Sequence, residues 1–250
     1  MTKIKDLLQE IDNLKTIYLS APKIDASVAK KRLEQFMVEN TYNSNAIEGN
    51  SLTLRETATI LLEGATIAKK PVKDHLEAIG HRDAFNYIVD IARNNIPLSL
   101  KSIRDIHALV LMNDAKHRGQ FRQYPVEILG TDYKPPSPEQ VPILMGDLVD
   151  SYKNDTRHPI VKISDFHIKF ERIHPFIDGN GRSGRLILNL ELMQAGYAPV
   201  DIKFKDRDVY YTCFDEYEAS GTADMFIEVI AKYELEELKK LVSLTTYAKV

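Results

Sequence analysis

The sequence predicts an all-α protein that carries one small β-hairpin. Along most of the 250 residues, apolar side chains recur at the three- and four-residue spacing of amphipathic helices. Only the stretch from His117 to Pro138 departs from this spacing, because glycines and prolines divide it into short apolar runs. We therefore expect a helical bundle with a hairpin around residues 125–135.

Residues that start and stop helices divide the N-terminal part of the chain into four helices. Pro22 ends the first, because proline lacks a backbone N–H and clashes with the preceding turn. Gly49 is suited to cap the end of the second, since glycine tolerates left-handed backbone angles. Thr53 and Glu56 have the spacing of a capping box and start the third. The fourth follows Pro71.

Six more helices are expected in the C-terminal part. The seventh should end at His174, because Pro175 disfavours helical backbone in the residue before it. The eighth follows the glycine-rich turn at residues 179–181 and stops before Gly196. The other boundary signals are Ser99 for the fifth helix, Ser137 for the sixth, Asp206 for the ninth and the range from Met225 to Leu241 for the tenth. His174 is thus expected at a helix end, just upstream of a second helix.

Composition limits the organisation of the chain and its partners. A hydrophobic share of 44% and a net charge of −3 fit a globular protein and offer no positive field for nucleic acid. No apolar stretch is long enough to cross a bilayer, so we expect no membrane partner. The single cysteine, Cys213, excludes an internal disulfide and favours the reducing cytoplasm. We expect a helical region at residues 1–95 and a core at residues 96–250, packed as one compact unit.

The most chemically capable stretch reads IHPFIDGNGRSGR and begins at Ile173. His174 can exchange a proton near neutral pH, and Asp178 can bind a hard cation. The glycine-rich turn at residues 179–181 precedes a helix, and helix N-termini attract anions. These features predict a site for a charged ligand in this turn.

Two arginines extend that site. Arg182 and Arg185 are three residues apart, so they share one face of the first helical turn. Both guanidinium groups can therefore reach a polyphosphate bound by the turn. The stretch has neither the Gly-Lys-Ser/Thr ending of a Walker loop nor the preceding β-strand of a dinucleotide fingerprint, which disfavours both of those folds.

From His174 to Arg185 the chain resembles the Fic family signature, His-Pro-Phe-x-(Asp/Glu)-Gly-Asn-Gly-Arg-x-x-Arg, at every specified position. The resemblance implies a Fic-type helical bundle with a small β-hairpin flap. It also implies transfer of AMP from ATP to a hydroxyl group of a target protein, with release of pyrophosphate. The target would expose a Ser, Thr or Tyr and could be the protein itself. The target's identity, the choice of ATP over other nucleotides and a homo-oligomeric state stay open.

The resemblance also implies roles for the polar residues of the signature. His174 would act as the general base, and Asp178 would bind Mg²⁺ or Mn²⁺. Arg182 is expected at the β-phosphate and Arg185 at the γ-phosphate. The complete set of expected nucleotide-binding residues is Gly179, Asn180, Gly181, Arg182 and Arg185.

Two further regions have expected roles in binding. In the Fic family a flap pairs its main chain with the target by β-strand addition. The residues expected to form the flap are Ile128, Leu129, Gly130, Thr131, Asp132, Tyr133 and Lys134. From the pattern alone, an ordinary surface hairpin is an equal alternative. Tyr210 and Tyr211 are candidates for an adenine pocket, although aromatic residues at helical spacing also occur in cores.

A second motif lies in the N-terminal half. The sequence SNAIEG, from Ser44 to Gly49, matches the Fic inhibitory motif (Ser/Thr)-x-x-x-Glu-(Gly/Asn), as in class II members with an N-terminal inhibitory helix. The helix around residues 28–49 is therefore expected to inhibit the site, since Glu48 would pair with Arg185 in place of the γ-phosphate. Glu48 could also activate water to remove AMP from a modified target. The simpler alternative is that Glu48 is a solvated residue at a helix end.

Two other functions are alternatives to this one. His167, Glu171 and His174 are spaced to share a helical face, which would suit a metal-dependent hydrolase. That alternative leaves the arginines and the glycine-rich turn unexplained. A catalytically idle nucleotide-binding module is the other alternative, and the intact His174 and Asp178 argue against it.

Overall fold

The computed structural model describes residues 2–128 and 130–247, and this part of the chain contains ten α-helices. The N-terminal helices are α1 (Thr2–Ser20), α2 (Ala26–Ile47), α3 (Leu54–Ala58) and α4 (Val72–Arg93). The others are α5 (Leu100–Val110), α6 (Val141–Asn154), α7 (Pro159–Ile173), α8 (Asn180–Gln194), α9 (Arg207–Ser220) and α10 (Asp224–Tyr247). A π-helical turn, Thr59–Glu63, continues α3, and short 3-10 turns, Pro138–Gln140 and Phe204–Asp206, precede α6 and α9. The all-α fold class is confirmed.

Side-chain caps explain where several helices begin. At the start of α3 the Thr53 hydroxyl accepts a hydrogen bond from the backbone N–H of Glu56 at 3.2 Å, and the Glu56 carboxylate accepts from the N–H of Thr53 at 2.7 Å. Ser99 and Ser102 form the equivalent pair at the start of α5. Such caps stabilise a helix by about 1 kcal/mol each, because they satisfy N–H groups that have no partner inside the helix.

Helix α8 lies at the centre of the molecule, and α4, α5 and α7 pack around it. Its apolar side chains are buried at successive positions rather than on one stripe, as expected for a helix that is surrounded on all sides. The buried positions are Leu186, Ile187, Leu188, Leu190 and Leu192. At the edge of the bundle α1 packs along α10, so helices from both sides of residue 95 contribute to one core.

The segment expected to form the hairpin contains no strand in its described residues, 125–128 and 130–135. Leu129 lies outside the described residues. The segment runs as an irregular excursion over the surface, with Gly130 at a φ of 85°. A lone two-stranded hairpin is marginal in water, and residues 2–128 and 130–247 form no sheet that could support one. The turn residues were thus interpreted correctly, but the expected strands are not formed.

None of the helices in the described part of the chain has the length and apolar character that a bilayer span requires.

Candidate active site

His174 lies directly after α7, at the start of the glycine-rich loop. It caps the helix with left-handed backbone angles, φ 48° and ψ 60°. Its ring Nδ1 lies 3.2 Å from the backbone oxygen of Glu171, and because a carbonyl can only accept, Nδ1 carries the proton. Burial lowers the pKa of His174, so the ring is neutral near pH 7. Its Nε2 therefore has a free lone pair that can accept a proton.

The loop between α7 and α8 is fixed by two side chains that point inward. Asn180 accepts a hydrogen bond from the backbone N–H of Phe176 and donates one to its oxygen, both at 2.9 Å. The Phe176 ring is fully buried and stacks on His107, with ring centroids 3.6 Å apart. Asn180 was expected to bind phosphate, but its amide is committed to holding the shape of the loop.

His107 supports the same loop from α5. Its Nε2 donates to the backbone oxygen of Asp178 at 2.9 Å, and its Nδ1 accepts from the N–H of Gly119 at 2.9 Å. Both ring nitrogens are therefore used in the neutral form. Burial lowers the pKa of His107 to about 4, so it stays neutral across the physiological range and its contacts persist.

Arg182 is buried between two carboxylates. Its guanidinium forms an ion pair with Glu77 of α4 at 3.0 Å and with Asp178 at 3.2 Å, and its side chain is only 2% exposed. The Asp178 side chain is 53% exposed. Its Oδ1 also accepts from the N–H of Gly179 at 2.6 Å, which leaves Oδ2 without a hydrogen bond among the described residues. Arg182 thus orients Asp178 in this structure, and its side chain is buried.

The guanidinium of Arg185 donates hydrogen bonds to four acceptors, and three of these lie at the end of α2. The hydroxyl of Ser44 accepts from its Nε at 3.1 Å and the Ser44 backbone oxygen from its Nη2 at 2.9 Å. Glu48 Oε1 accepts from Nη2 at 2.8 Å. The fourth acceptor is the hydroxyl of Tyr210 at 3.4 Å. Burial opposes the charge of Arg185, but Tyr210 and Glu48 outweigh it, and the pKa of the guanidinium is raised.

The carboxylate of Glu48 also lies against the first turn of α8. A Cβ atom at Gly181 would overlap Glu48 Oε1 and would crowd Arg185, so only glycine leaves room for the carboxylate. The N–H groups of a first helical turn have no partner inside the helix and attract anions. Glu48 therefore occupies the anion position beside this helix N-terminus, while its side chain stays 34% exposed.

The metal site considered for His167, Glu171 and His174 is not formed. The His167 Nε2 lies 2.9 Å from the hydroxyl of Tyr210, and the Nδ1 of His174 is bound to a carbonyl. Within the described residues, no group of three or more His, Cys, Asp or Glu side chains is arranged to hold a metal ion. Helical spacing brought the three residues to one side of α7, but Nε2 of His167 and Nδ1 of His174 make other contacts, and Oε1 of Glu171 is buried without a hydrogen-bond partner among the described residues.

The Glu171 carboxyl group is buried against α8, where Gly184 leaves room for it. Burial raises its pKa to about 8, Arg185 opposes that shift and Glu48 adds to it. A carboxyl group with a raised pKa in the folded state favours folding at low pH, and this contribution is lost as pH rises through about 8.

We therefore expect the Glu171→Gln variant to lose less stability than the parent chain when pH is raised from 5 to 8. Each unit of pKa shift corresponds to about 1.36 kcal/mol, so the difference should reach a few kcal/mol. Urea unfolding at several pH values measures it, with the exposed Glu236→Gln as the control. Parallel stability curves for the parent and Glu171→Gln would show that the carboxyl group is not held protonated.

The flap residues and the two tyrosines lie around this site in different environments. Most of the flap is exposed, but Tyr133 is half-buried and donates from its hydroxyl to the backbone oxygen of Arg172 at 3.1 Å. Tyr210 is 3% exposed under Arg185, whereas Tyr211 is 38% exposed and its hydroxyl lies 3.4 Å from the backbone oxygen of Ile47. Of the two tyrosines, Tyr211 is the exposed one.

Sequence reasoning missed three residues that hold the site together: Glu77, His107 and Arg122. Each contacts the loop from 50 or more residues away in the chain, so no local spacing could reveal the contact. The only available signal was their chemistry, since a charged or titratable side chain within an apolar helical stripe must find a polar partner when buried. Glu77 and His107 both lie on such stripes.

Comparison with known proteins adds an independent observation. Residues 97–192 match the family model described as Fic/DOC family. The chain is a Fic-domain protein. A relative from Nematostella vectensis, named "Protein adenylyltransferase Fic", is 31% identical over 233 residues, which cover 91% of this chain and 54% of that protein. A relative of the same name from Aedes aegypti is 35% identical over 216 residues, covering 83% and 42%. This Fic-domain chain spans about half the length of the curated relatives it matches.

Solved structures agree with the fold. A Fic domain containing signaling protein from Bacteroides thetaiotaomicron superposes with a TM-score of 0.88 at 26% identity, covering 95% of this chain and 97% of that one. Fic-1 from C. elegans superposes with a TM-score of 0.84 at 29% identity, covering 96% and 71%. The similarity therefore includes the N-terminal helices as well as the segment that matches the family model.

Proposed function

We propose that this Fic-domain protein is a protein adenylyltransferase that transfers AMP from ATP to a Ser, Thr or Tyr hydroxyl of a target. The observation that supports this most is the pairing of two features within one loop. His174 has an unprotonated Nε2, and an anion position at the N-terminus of α8 lies a few residues further along. A base beside an anion position suits the attack of a hydroxyl on a phosphate.

The loop suits a triphosphate with a bound cation. Asp178 offers an exposed carboxylate oxygen, and magnesium needs few protein ligands because it keeps waters and takes phosphate oxygens. Mg²⁺ or Mn²⁺ would neutralise charge on the phosphates. Glu77 and Arg182 hold Asp178 in place through the ion pairs described above, so Arg182 contributes by orientation. The free N–H groups of the first turn of α8 and the guanidinium of Arg185 would bind the phosphate oxygens.

The proposed reaction requires a group that accepts the proton of the target hydroxyl. Nε2 of His174 takes this proton as the hydroxyl oxygen attacks the α-phosphorus. The bond from the α-phosphorus to the oxygen that bridges to the β-phosphate breaks, and pyrophosphate leaves with that electron pair. The Glu171 carbonyl holds the proton on Nδ1, which keeps the lone pair on Nε2. General-base catalysis of this kind contributes roughly 10²–10⁴-fold.

Helix α2 inhibits this reaction in the proposed model. Glu48 holds Arg185 and occupies the anion position, so the γ-phosphate of ATP cannot bind there in the productive pose. A buried polar cluster fixes the helix in this position. The Asp201 carboxylate accepts from the side-chain amides of Asn40 at 3.2 Å and Asn43 at 2.8 Å. Inhibition thus depends on how α2 is anchored as well as on Glu48.

The position of the isotope in labelled ATP provides a test of the proposed function. The full chain carrying Glu48→Gly is incubated with Mg²⁺ and ATP labelled at either the α- or the γ-phosphate. We expect protein-bound label from α-labelled ATP only, together with release of pyrophosphate. Label from the γ-phosphate would indicate a kinase, and phosphate release without protein label would indicate a hydrolase. Parallel reactions with GTP, CTP and UTP test whether adenine is preferred.

We place this activity in the cytoplasm, where ATP is available and Cys213 would stay reduced.

A further inference from the structure

Arg122 is a buried residue that contacts the catalytic loop and the flap at the same time. It lies between α5 and the flap and is 4% exposed. Its Nε donates to the backbone oxygen of His174 at 2.8 Å, and its Nη2 lies 3.4 Å from that of Ile173. Its own N–H donates to the oxygen of Pro175 at 2.9 Å. One residue therefore binds three consecutive carbonyl groups around the general base.

This contact holds a backbone conformation that is costly for a residue with a side chain. His174 has a φ of 48°, in the left-handed region that favours glycine. Such backbone angles are unfavourable for a residue other than glycine and persist only when the surroundings fix them. Arg122 supplies part of that constraint, since it binds the carbonyl of His174 and the carbonyls on either side.

The other half of the guanidinium binds the ends of the flap. Its Nη1 donates to the backbone oxygen of Tyr124 at 3.2 Å, and its Nη2 to that of Pro136 at 2.5 Å. Tyr124 and Pro136 flank residues 125–135 on either side. Both ends of the flap are therefore bound to the same planar group that binds the His174 carbonyl.

The side-chain donors of Arg122 are used for the bridge between the catalytic loop and the flap. No carboxylate forms an ion pair with it in the described part of the chain, so all of its side-chain hydrogen bonds go to carbonyl groups. Burial lowers its pKa, while Glu139 and Tyr133 act in the opposite direction. A guanidinium is suited to this position because its donors project in a fixed plane, whereas an ammonium group is a single point.

We propose that Arg122 is a positioning residue that sets the distance between the flap and the general base. A target strand paired with the flap would then present its hydroxyl at a fixed place relative to Nε2 of His174. This inference rests on the proposed adenylyltransferase function. Arg122 lies outside the family signature, and it would support both the docking of the target on the flap and the transfer of its proton to His174.

The test compares Arg122→Lys and Arg122→Gln in the Glu48→Gly background. Lysine keeps the charge but cannot span the four carbonyls, and glutamine loses the charge as well. We expect kcat for self-modification with α-labelled ATP to fall about 10- to 100-fold in both variants, since small misplacements of catalytic groups have effects of this size. The KM for ATP should stay within about twofold of the background value, because Arg122 contacts none of the residues expected to bind phosphate.

Hydrogen exchange gives a second readout that does not depend on turnover. In Arg122→Lys, the amides of the described flap residues and of Ile173 and His174 should exchange faster together, while the rest of the bundle keeps its protection. Arg157→Lys is the matched control, because Arg157 also bridges two groups, Asp155 and Asp165, but lies on the surface. We expect this control to leave both kcat and exchange unchanged.

The outcomes separate this inference from the function on which it rests. If the Glu48→Gly protein with Arg122 intact transfers no AMP, the proposed function fails, and the exchange experiment alone decides the coupling. Unchanged kcat and exchange in Arg122→Lys would overturn the inference while leaving the function intact. A rise in the KM for ATP with unchanged kcat would also overturn it. Loss of folding in both variants would assign Arg122 a purely structural role and would equally overturn it.

Discussion

The Glu48→Gly variant is expected to transfer AMP onto itself about 10- to 100-fold faster than the parent chain, because a charge-assisted hydrogen bond of about 1.5–3 kcal/mol no longer competes with ATP. Glu48 Oε1 lies 2.8 Å from Nη2 of Arg185 and fills the space above Gly181. Removing its side chain takes away the one carboxylate that pairs with Arg185 among the described residues and opens the anion position at the start of α8, while the contacts of Arg185 with Ser44 and Tyr210 remain. Self-modification with α-labelled ATP and Mg²⁺ measures the change.

Two further variants identify the cause of that activation. Glu48→Gln keeps the size of the side chain without its charge and should activate less than glycine, since the amide still fills the space over Gly181. Glu34→Gly makes the same change at an exposed position of α2 and should have no effect beyond a loss of helix stability of about 1 kcal/mol. Equal activity in the parent and Glu48→Gly would contradict the inhibitory role of α2.

The same carboxylate allows a test of the reverse reaction. Activated protein modified with labelled AMP is separated from ATP and incubated with the parent chain and Mg²⁺ or Mn²⁺. Release of AMP by the parent, but not by Glu48→Gly, would indicate that Glu48 activates water. Retention of the label with both would restrict Glu48 to inhibition.

Local patterns in the sequence were sufficient for the helices. Thr53, Ser99, Pro175 and Gly49 each act within a few residues of their own position, and the structure shows a helix boundary at each one. The flap is the exception. Glycine and proline identified a segment that turns, but whether its arms pair as strands depends on a supporting sheet, which no local pattern reports.

The candidate site was predictable only where one motif contains it. His174, Asp178 and Arg185 belong to a single twelve-residue signature, and Ser44 and Glu48 to a second motif. The supporting contacts are of another kind. Arg122 binds the carbonyl of a residue 52 positions away, and backbone carbonyl groups are present at every position of any sequence. The residue type at a position therefore does not reveal whether its backbone carbonyl group will accept such a hydrogen bond.

Asn180 and Arg182 show the same limit from the other direction. Both belong to the signature, and both were expected to touch phosphate. In the structure, Asn180 binds the backbone of Phe176, and Arg182 lies buried between Glu77 and Asp178. Spacing placed these side chains at the correct helix N-terminus. It could not indicate which way each one faces, because that depends on α4 and on the fold of the loop.

The His174→Ala variant should lose roughly 10²–10⁴-fold in AMP transfer when it is combined with Glu48→Gly, because no other group would accept the proton from the target hydroxyl. Binding of ATP should be retained, since the imidazole is not expected to hold the phosphates. Titration calorimetry with ATP and Mg²⁺, beside the turnover assay, separates the two effects. His117→Ala is the control, a partly exposed histidine whose ring pairs with Asp114 at 2.6 Å.

The pH dependence of the Glu48→Gly protein tests the same assignment without removing the imidazole. His174 is active when neutral, and burial lowers its pKa, with Arg122 acting in the same direction and Glu48 and Asp178 opposing it. In this variant the opposing charge of Glu48 is absent. We therefore expect kcat to be constant near pH 7 and to fall only as pH drops through a value below the ordinary histidine pKa of about 6.5. If acidification lowers kcat to half of its plateau value at a pH that is still above 7, a different group accepts the proton.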